Sequence, residues 1–160
     1  MVNPLRTLSL HLAGFLATAV LVLSTACGDQ TRPYQFWRVS TAVNNGDKFA
    51  EPFGIAVRGD DVYVSYGDNG KILKAAGGVL TEFASGLKTP SAIAFEKNGD
   101  LIVADTGSHT IKRVSQKGEV TVVAGTPDLS GFADGEALSA KFNGPIGLVV
   151  ADDGRIFVSD

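Results

Sequence analysis

The chain has 160 residues, of which 44% are apolar and 19% are charged, with a formal net charge of −3. This length is typical of one domain with a modest core, and the nearly balanced charge leaves no basic footprint for binding nucleic acid. A single cysteine excludes an intrachain disulfide framework and a multi-cysteine zinc site, while nineteen glycines and nine phenylalanines favour a turn-rich β protein over a helical bundle.

The first predicted element is a signal peptide over residues 1–26. Arg6 gives a positive start, residues 8–23 are almost wholly apolar, and small residues follow at positions 24–26. This order of segments is typical of a secretory signal. The alternative is an uncleaved membrane anchor, but the apolar run is slightly short for a hydrocarbon core of about 30 Å, and no basic stop-transfer cluster follows it. We therefore expect the segment to be removed.

The lone cysteine, Cys27, directly follows this segment. Residues 23–27 (LSTAC) resemble the lipobox of bacterial lipoproteins, although Ser24 stands where that family prefers Leu. The resemblance implies cleavage before Cys27 and transfer of a diacylglycerol to its sulfur, which would anchor the chain in a membrane. Ser24 and Ala26 equally suit ordinary signal peptidase, which would release a secreted soluble protein. Because a free terminal thiol is a liability in an oxidising compartment, we expect a membrane-anchored lipoprotein of the cell envelope, periplasmic or at the cell surface.

Residues 27–34 then form the lipidated cysteine and a short polar tether, and residues 35–160 repeat. Each unit has a proline, an aliphatic strand, a Gly/Asp turn and a β-rich run; the prolines are Pro52, Pro90 and Pro145. Ile72 and Ile111, each beside basic residues, lie 39 positions apart in the first two units. Four short strands separated by glycine-bearing turns predict an antiparallel blade, and a period of about 40 residues predicts a β-propeller. A β-sandwich is the alternative, but it gives no reason for a repeat in register.

These residues resemble the NHL repeat, in which Pro-x-x-[Ile/Leu] precedes a Gly/Asp turn, [Leu/Ile]-x-Val-x-Asp, and Ile beside Lys or Arg. Residues 122–145 are similar to the long-linker repeat of bacterial NHL proteins. The first unit departs from the pattern, since Tyr66 stands where the second unit has Asp105. The resemblance implies an all-β propeller of four-stranded antiparallel blades, of which about two and a half are present, at about residues 49–87, 88–140 and 141–160.

The number of units predicts an incomplete propeller. Residues 35–41 resemble the last strand of a unit, and the family implies that such a strand completes the final blade. Propellers close with about four to eight blades. We therefore expect the sequence to be the front part of a longer chain, with about six blades in full.

Side chains of the types used in catalysis lie in the turn at residues 105–110 (DTGSHT). Asp105, Ser108 and His109 are the ingredients of a hydrolytic set, but residues of one turn cannot form the geometry of a catalytic triad. We expect Asp105 to accept a hydrogen bond from its own turn, and we expect His109, which has no second His or Cys as a partner ligand, to be exposed. Asp134-Gly135 lacks the alternating oxygen ligands of a calcium loop. No catalytic, cofactor-binding or metal-binding residue is therefore predicted.

The other candidates have structural interpretations. Trp37, beside Phe36, is expected to pack within a strand, although an exposed Trp could stack on a sugar. Lys112-Arg113 is expected to be a solvated face.

The longest connection, residues 126–141, is the strongest candidate for a binding element, since long connections in compact domains often bind ligands. The propeller topology places this loop on the rim that carries the 105–110 turn. One binding face would then contain four side chains: Asp105, His109, Phe132 and Asp134. The competing and favoured interpretation is a spacer that packs Phe132 and Leu138 between blades.

Two classes of function remain. The first is a non-catalytic scaffold that binds an unknown protein or carbohydrate ligand, with no cofactor. The second is an enzyme, because the resemblance extends to gluconolactonase-type hydrolases and amidating lyases, which hold a divalent metal in the central channel. That site needs acidic, Asn or His side chains at the ends of inner strands, and residues 55–57, 93–95 and 148–150 are apolar. We therefore expect a scaffold, unless blades beyond these supply the metal site.

Overall fold

The computed structural model describes residues 40, 41 and 51–160, all within one compact unit, Ser40–Asp160. The predictions for the signal peptide, Cys27 with its tether at residues 27–34, and Trp37 concern residues outside this part. Of the predicted strand at residues 35–41, only Ser40 and Thr41 are described, and neither lies in a strand. Within the described ranges, no helix has the length and hydropathy needed to cross a bilayer.

The described residues form three antiparallel sheets. Blade 1 has the order β1–β2–β3–β4, with strands Pro52–Arg58, Asp61–Tyr66, Lys71–Ala76 and Val79–Ala84. Blade 2 has the order β5–β6–β7–β8, with strands Pro90–Phe95, Leu101–Asp105, Thr110–Val114 and Val120–Ala124. The third sheet, partial blade 3, pairs β9 (Gly147–Val150) with β10 (Ile156–Ser159). The predicted four-stranded antiparallel blades are confirmed.

The Gly/Asp turns have the backbone conformation that the repeat predicts. The first hairpin of each blade contains a glycine with positive φ: 62° at Gly59, 90° at Gly99 and 88° at Gly154. Glycine adopts this left-handed conformation without the steric penalty of a side chain. The repeated glycines therefore end the first strand of each blade at the same point and set the register of the second strand.

Blade 2 is packed on both faces, because the side chains of β6 alternate between two apolar clusters. Leu101 and Val103 pack towards blade 1, in a cluster with Tyr63, Ile72 and Ile93. The intervening residues, Ile102 and Ala104, join the cluster that includes the strands of blade 3. All four β6 side chains are 0–1% exposed. Strand β6 is thus the centre of the described fold, and apolar burial holds it between two neighbours.

Polar contacts join the inner strands of neighbouring blades. Ser65 Oγ accepts a hydrogen bond from the Gly54 amide at 2.7 Å and donates one to the Ser91 carbonyl at 2.5 Å. A Cβ on Gly54 would lie 2.3 Å from that carbonyl oxygen, so only glycine allows blades 1 and 2 to approach this closely. Between blades 2 and 3, the Ala92 amide donates to the Ile146 carbonyl at 3.1 Å.

Candidate functional site

The Asp105 carboxylate lies at the end of β6 and is fully buried. Its Oδ1 accepts the backbone N–H of Lys88 at 2.6 Å, and its Oδ2 accepts the Ser108 hydroxyl at 2.6 Å. Lys112 Nζ lies 2.6 Å from the same Oδ2. The predicted hydrogen bond within its own turn is confirmed. Because a buried charge is stable only when it is paired and hydrogen-bonded, this carboxylate is used to join three segments of the chain and has no exposed surface for a ligand.

The expectation that Lys112-Arg113 forms a solvated face is wrong for Lys112. Its side chain is only 11% exposed and points to the carboxylate of Asp105. Arg113 donates two hydrogen bonds to Glu96, at 2.7 and 3.0 Å, and this carboxylate raises the pKa of the Arg113 guanidinium. Both cations therefore have carboxylate partners on blade 2.

His109 follows the same turn and is half-buried, so the expectation of an exposed histidine is wrong. Its φ of 56° is left-handed, as is the 59° of Gly70 at the equivalent position of blade 1. The backbone N–H of His109 donates to the Thr106 carbonyl at 3.2 Å and closes the turn. Among the described residues, its buried Nδ1 has no hydrogen-bond partner.

The connecting loop, residues 126–141, folds back on itself. Ala133 and Lys141 exchange two backbone hydrogen bonds, at 3.0 and 3.4 Å. At the base of the loop, the Gly125 amide donates to the Ala137 carbonyl at 2.8 Å and the Gly131 amide donates to the Phe142 carbonyl at 3.0 Å. These bonds give the loop a defined conformation.

Two contacts tie this loop to the turn that follows β6. The Asp128 amide donates to the Ser108 carbonyl at 3.0 Å, and Lys88 Nζ lies 2.6 Å from Asp128 Oδ1. The Lys88 ammonium lowers the pKa of the Asp128 carboxyl. The loop and the turn therefore lie at the same end of blade 2, as the propeller topology predicts.

Within the described residues, the loop does not pack between blades as the expected apolar spacer would. Phe132 is 77% exposed, Leu138 is 63% exposed, and Leu129 is 46% exposed. Phe142, just after the loop, makes the apolar contact instead and packs against the cluster of Ile102, Ala104 and Ile111. Because Phe142 already covers this cluster, the apolar side chains of the loop remain exposed to solvent.

The loop borders an open groove of about 500 Å³, lined by Phe132, Asp134, Lys141, Phe142 and Asp160 among others. Phe132 and Asp134 are thus together, but Asp105 and His109 do not line this groove. Sequence reasoning missed Asp160, whose two carboxylate oxygens accept the Asn143 amide at 2.8 Å. The repeat could have revealed it, because Asp160 occupies the position of Asp105 in the third unit.

The described residues contain no group of three or more His, Cys, Asp or Glu side chains arranged to hold a metal ion. The divalent-metal site that the enzyme hypothesis requires therefore has no matching donor set in the described part of blades 1, 2 and 3.

Comparison with known proteins identifies the repeat. The family model of the NHL repeat matches residues 87–114. Human Teneurin-4 is 35% identical over 88 residues, covering 46% of this chain and 3% of the relative. Chicken NHL repeat-containing protein 2 is 35% identical over 77 residues, covering 48% and 10%. A probable peptidyl-α-hydroxyglycine α-amidating lyase of Caenorhabditis elegans is 32% identical over 83 residues, covering 51% and 23%. The chain thus spans less than a quarter of each of these relatives.

Solved structures match at the level of the fold. A Bacteroides thetaiotaomicron protein of unknown function superposes with a TM-score of 0.64 at 19% identity, over 74% of this chain and 33% of its own. An auxiliary nutrient binding protein from the same organism superposes with a TM-score of 0.59 at 22% identity, over 65% of this chain and 33% of its own. Staphylococcus aureus virginiamycin B lyase superposes with a TM-score of 0.55 at 17% identity, over 71% of this chain and 36% of its own. The predicted all-β propeller is confirmed, and the chain carries an NHL repeat; it spans about a third of each of these structures.

We predict that Asp105→Asn lowers the free energy of unfolding by about 3 kcal/mol, because it leaves the Lys112 ammonium without its carboxylate in a site that is 11% exposed. The measurement is urea unfolding of the full chain. Asp153→Asn is the matched control, since Asp153 pairs with Arg155 at the surface, and this change should leave the midpoint unmoved. Equal effects of the two substitutions would contradict the structural role of Asp105.

Proposed function

We propose that this chain is a non-catalytic β-propeller scaffold of the cell envelope, which recognises a partner through the connecting loop at residues 126–141. The observation that carries the proposal is the exposure of three large apolar side chains on an ordered loop: Leu129, Phe132 and Leu138. The blades supply a rigid frame, and the loop supplies the exposed surface for recognition.

Backbone order and apolar exposure together favour recognition. The loop is closed by the hydrogen bonds between Ala133 and Lys141, so little conformational freedom remains to be lost on binding. Exposed apolar patches mark sites of interaction with other molecules, and the three apolar side chains lie within residues 129–138 of this loop. Aromatic anchors such as Phe132 contribute strongly when a partner removes them from water.

The charges beside the loop indicate the kind of partner. Asp134 and Glu136 are exposed on the loop, and Asp134 and Lys141 line the groove together with Phe132. Acidic groups at the rim of an apolar surface favour a partner that carries basic groups around an apolar centre. We therefore propose a protein partner; a carbohydrate that stacks on Phe132 is the alternative that the experiment below separates.

The location in the cell envelope is proposed from the sequence. The order of charged, apolar and small residues before Cys27 supports export, and the likeness of residues 23–27 to a lipobox supports lipidation of the cysteine. An acyl anchor would hold the propeller at a membrane surface and leave its loops accessible.

A metal-dependent enzyme is the second candidate. The similarity to the probable amidating lyase favours it, at 32% identity over 83 residues. The described residues lack a metal-binding group, so other parts of a longer protein would have to provide that site. Metal analysis of the purified protein separates this candidate from the scaffold.

We predict that a photo-crosslinking amino acid at position 132 forms a discrete protein adduct in cells, because this side chain would lie in the interface. The same amino acid at position 79 is the matched control, since Val79 is 62% exposed at the turn between β3 and β4. Replacing Leu129 and Leu138 by Ser should abolish the adduct while changing the free energy of unfolding by less than about 0.5 kcal/mol. Adducts from both positions, or from neither, would contradict recognition of a protein by the loop.

We predict that labelling cells with a fatty-acid analogue tags the wild-type protein and brings it into the membrane fraction. Cys27→Ser should lose both the tag and membrane association, because the thiol is the acceptor of the lipid. Untagged wild-type protein in the soluble fraction would overturn the lipoprotein proposal without affecting the loop.

A further inference from the structure

A second cavity lies at the opposite end of the two complete blades. Strand β6 runs from Leu101 to Asp105, so the turns before it and after it lie at opposite ends of blade 2. The cavity has a volume of about 310 Å³ and lies beside the first of these turns. Gly99 and seven side chains from both blades line it: Arg58, Asp61, Tyr63, Lys74, Phe83, Phe95 and Gln116. It is therefore separate from the connecting loop and independent of the proposed function.

Arg58 is held across this cavity by two contacts. Its Nη1 donates to the Gly99 carbonyl at 2.9 Å, and its guanidinium carbon lies 5.8 Å from the ring centre of Phe95. A Cβ on Gly99 would lie 2.1 Å from Nη1, so the glycine makes the space that the guanidinium occupies. A guanidinium has five N–H donors, and this is the one hydrogen bond that the Arg58 side chain makes among the described residues.

Lys74 supplies a second cation. Its Nζ lies 2.6 Å from Asp61 Oδ2 and 5.6 Å from the ring centre of Tyr63. The hydrogen bond to Asp61 raises the pKa of the Lys74 ammonium. Two cations and one carboxylate give the cavity a local charge of about +1, in a chain whose net charge is −3.

The floor of the cavity is aromatic and fixed. The Tyr63 ring meets Phe83 and Phe95 edge to face, with ring centres 5.0 and 5.1 Å apart. Such a cluster is rigid and offers an apolar surface. A ligand that fits both features needs an anionic group and a small apolar body, because pockets for small molecules combine apolar walls with a few polar groups that set orientation.

We propose that this cavity binds a small organic carboxylate. The carboxylate would lie against the planar fork of Arg58, which matches its two oxygens, with Lys74 as the second cation. The apolar body would lie on the rings of Phe83 and Phe95. Both complete blades contribute residues, so the site depends on the packing of blade 1 against blade 2.

The test is a titration of the ¹⁵N-labelled full chain with sodium benzoate, followed by amide chemical shifts. Benzyl alcohol, which lacks the charge, and inorganic phosphate, which lacks the apolar body, are the comparison ligands. We expect saturable shifts at the amides of Gly99 and Gln116, with a dissociation constant of about 1 mM or tighter. Absence of saturation, or binding of benzyl alcohol or phosphate as tight as that of benzoate, would overturn the proposal.

Two matched variants assign the binding to this cavity. Arg58→Gln should weaken benzoate binding about tenfold or more, because charge-assisted hydrogen bonds are lost. Arg155→Gln is the control, since Arg155 lies 5.3 Å from the ring centre of Phe157 but outside the cavity. Lys74→Met, which removes the second cation, should also weaken binding. Retained amide dispersion verifies folding of each variant, and equal losses in the Arg58 and Arg155 variants would overturn the assignment.

Discussion

The rest of the described structure depends on the buried carboxylate of Asp105. Strand β6 is covered on both faces, so the charge at its end cannot be solvated and must be compensated by protein groups. The compensating groups come from three segments: the Lys88 amide before β5, the Ser108 hydroxyl in the following turn, and the Lys112 ammonium on β7. The Asp105 carboxylate thus joins the segment before β5, the turn after β6 and strand β7.

The position of the connecting loop follows from this arrangement. Lys88 donates its amide to Asp105 and directs its side chain to Asp128, while the Ser108 carbonyl accepts the Asp128 amide. The base of the loop is therefore attached to the same groups that surround the buried carboxylate. With Phe142 packed in the core, the apolar side chains of the loop are left on the surface, where they are available to a partner.

The repeat and its strands could be predicted from the sequence because their determinants are local. Glycine at the hairpin turns and β-branched residues between them define each blade, and the internal repeat aligns Asp105 with Asp160. The path of the loop could not be predicted, since the sequence alone does not tell which phenylalanine, Phe132 or Phe142, reaches the core. The pairing of Lys112 with Asp105 and the cavity at Arg58 also depend on neighbouring strands and blades, which no local pattern specifies.

Amide hydrogen exchange of the full chain tests the central position of Asp105 most directly, because it measures the protection of each segment separately. We expect the slowest exchange in β6, together with protected amides at Lys88 and Asp128, which donate to Asp105 and Ser108. Amides of the exposed turn at Gly77 and Gly78 should exchange rapidly. Exchange at Lys88 and Asp128 as fast as in that turn, or faster exchange in β6 than in β10, would show that Asp105 does not hold these segments together.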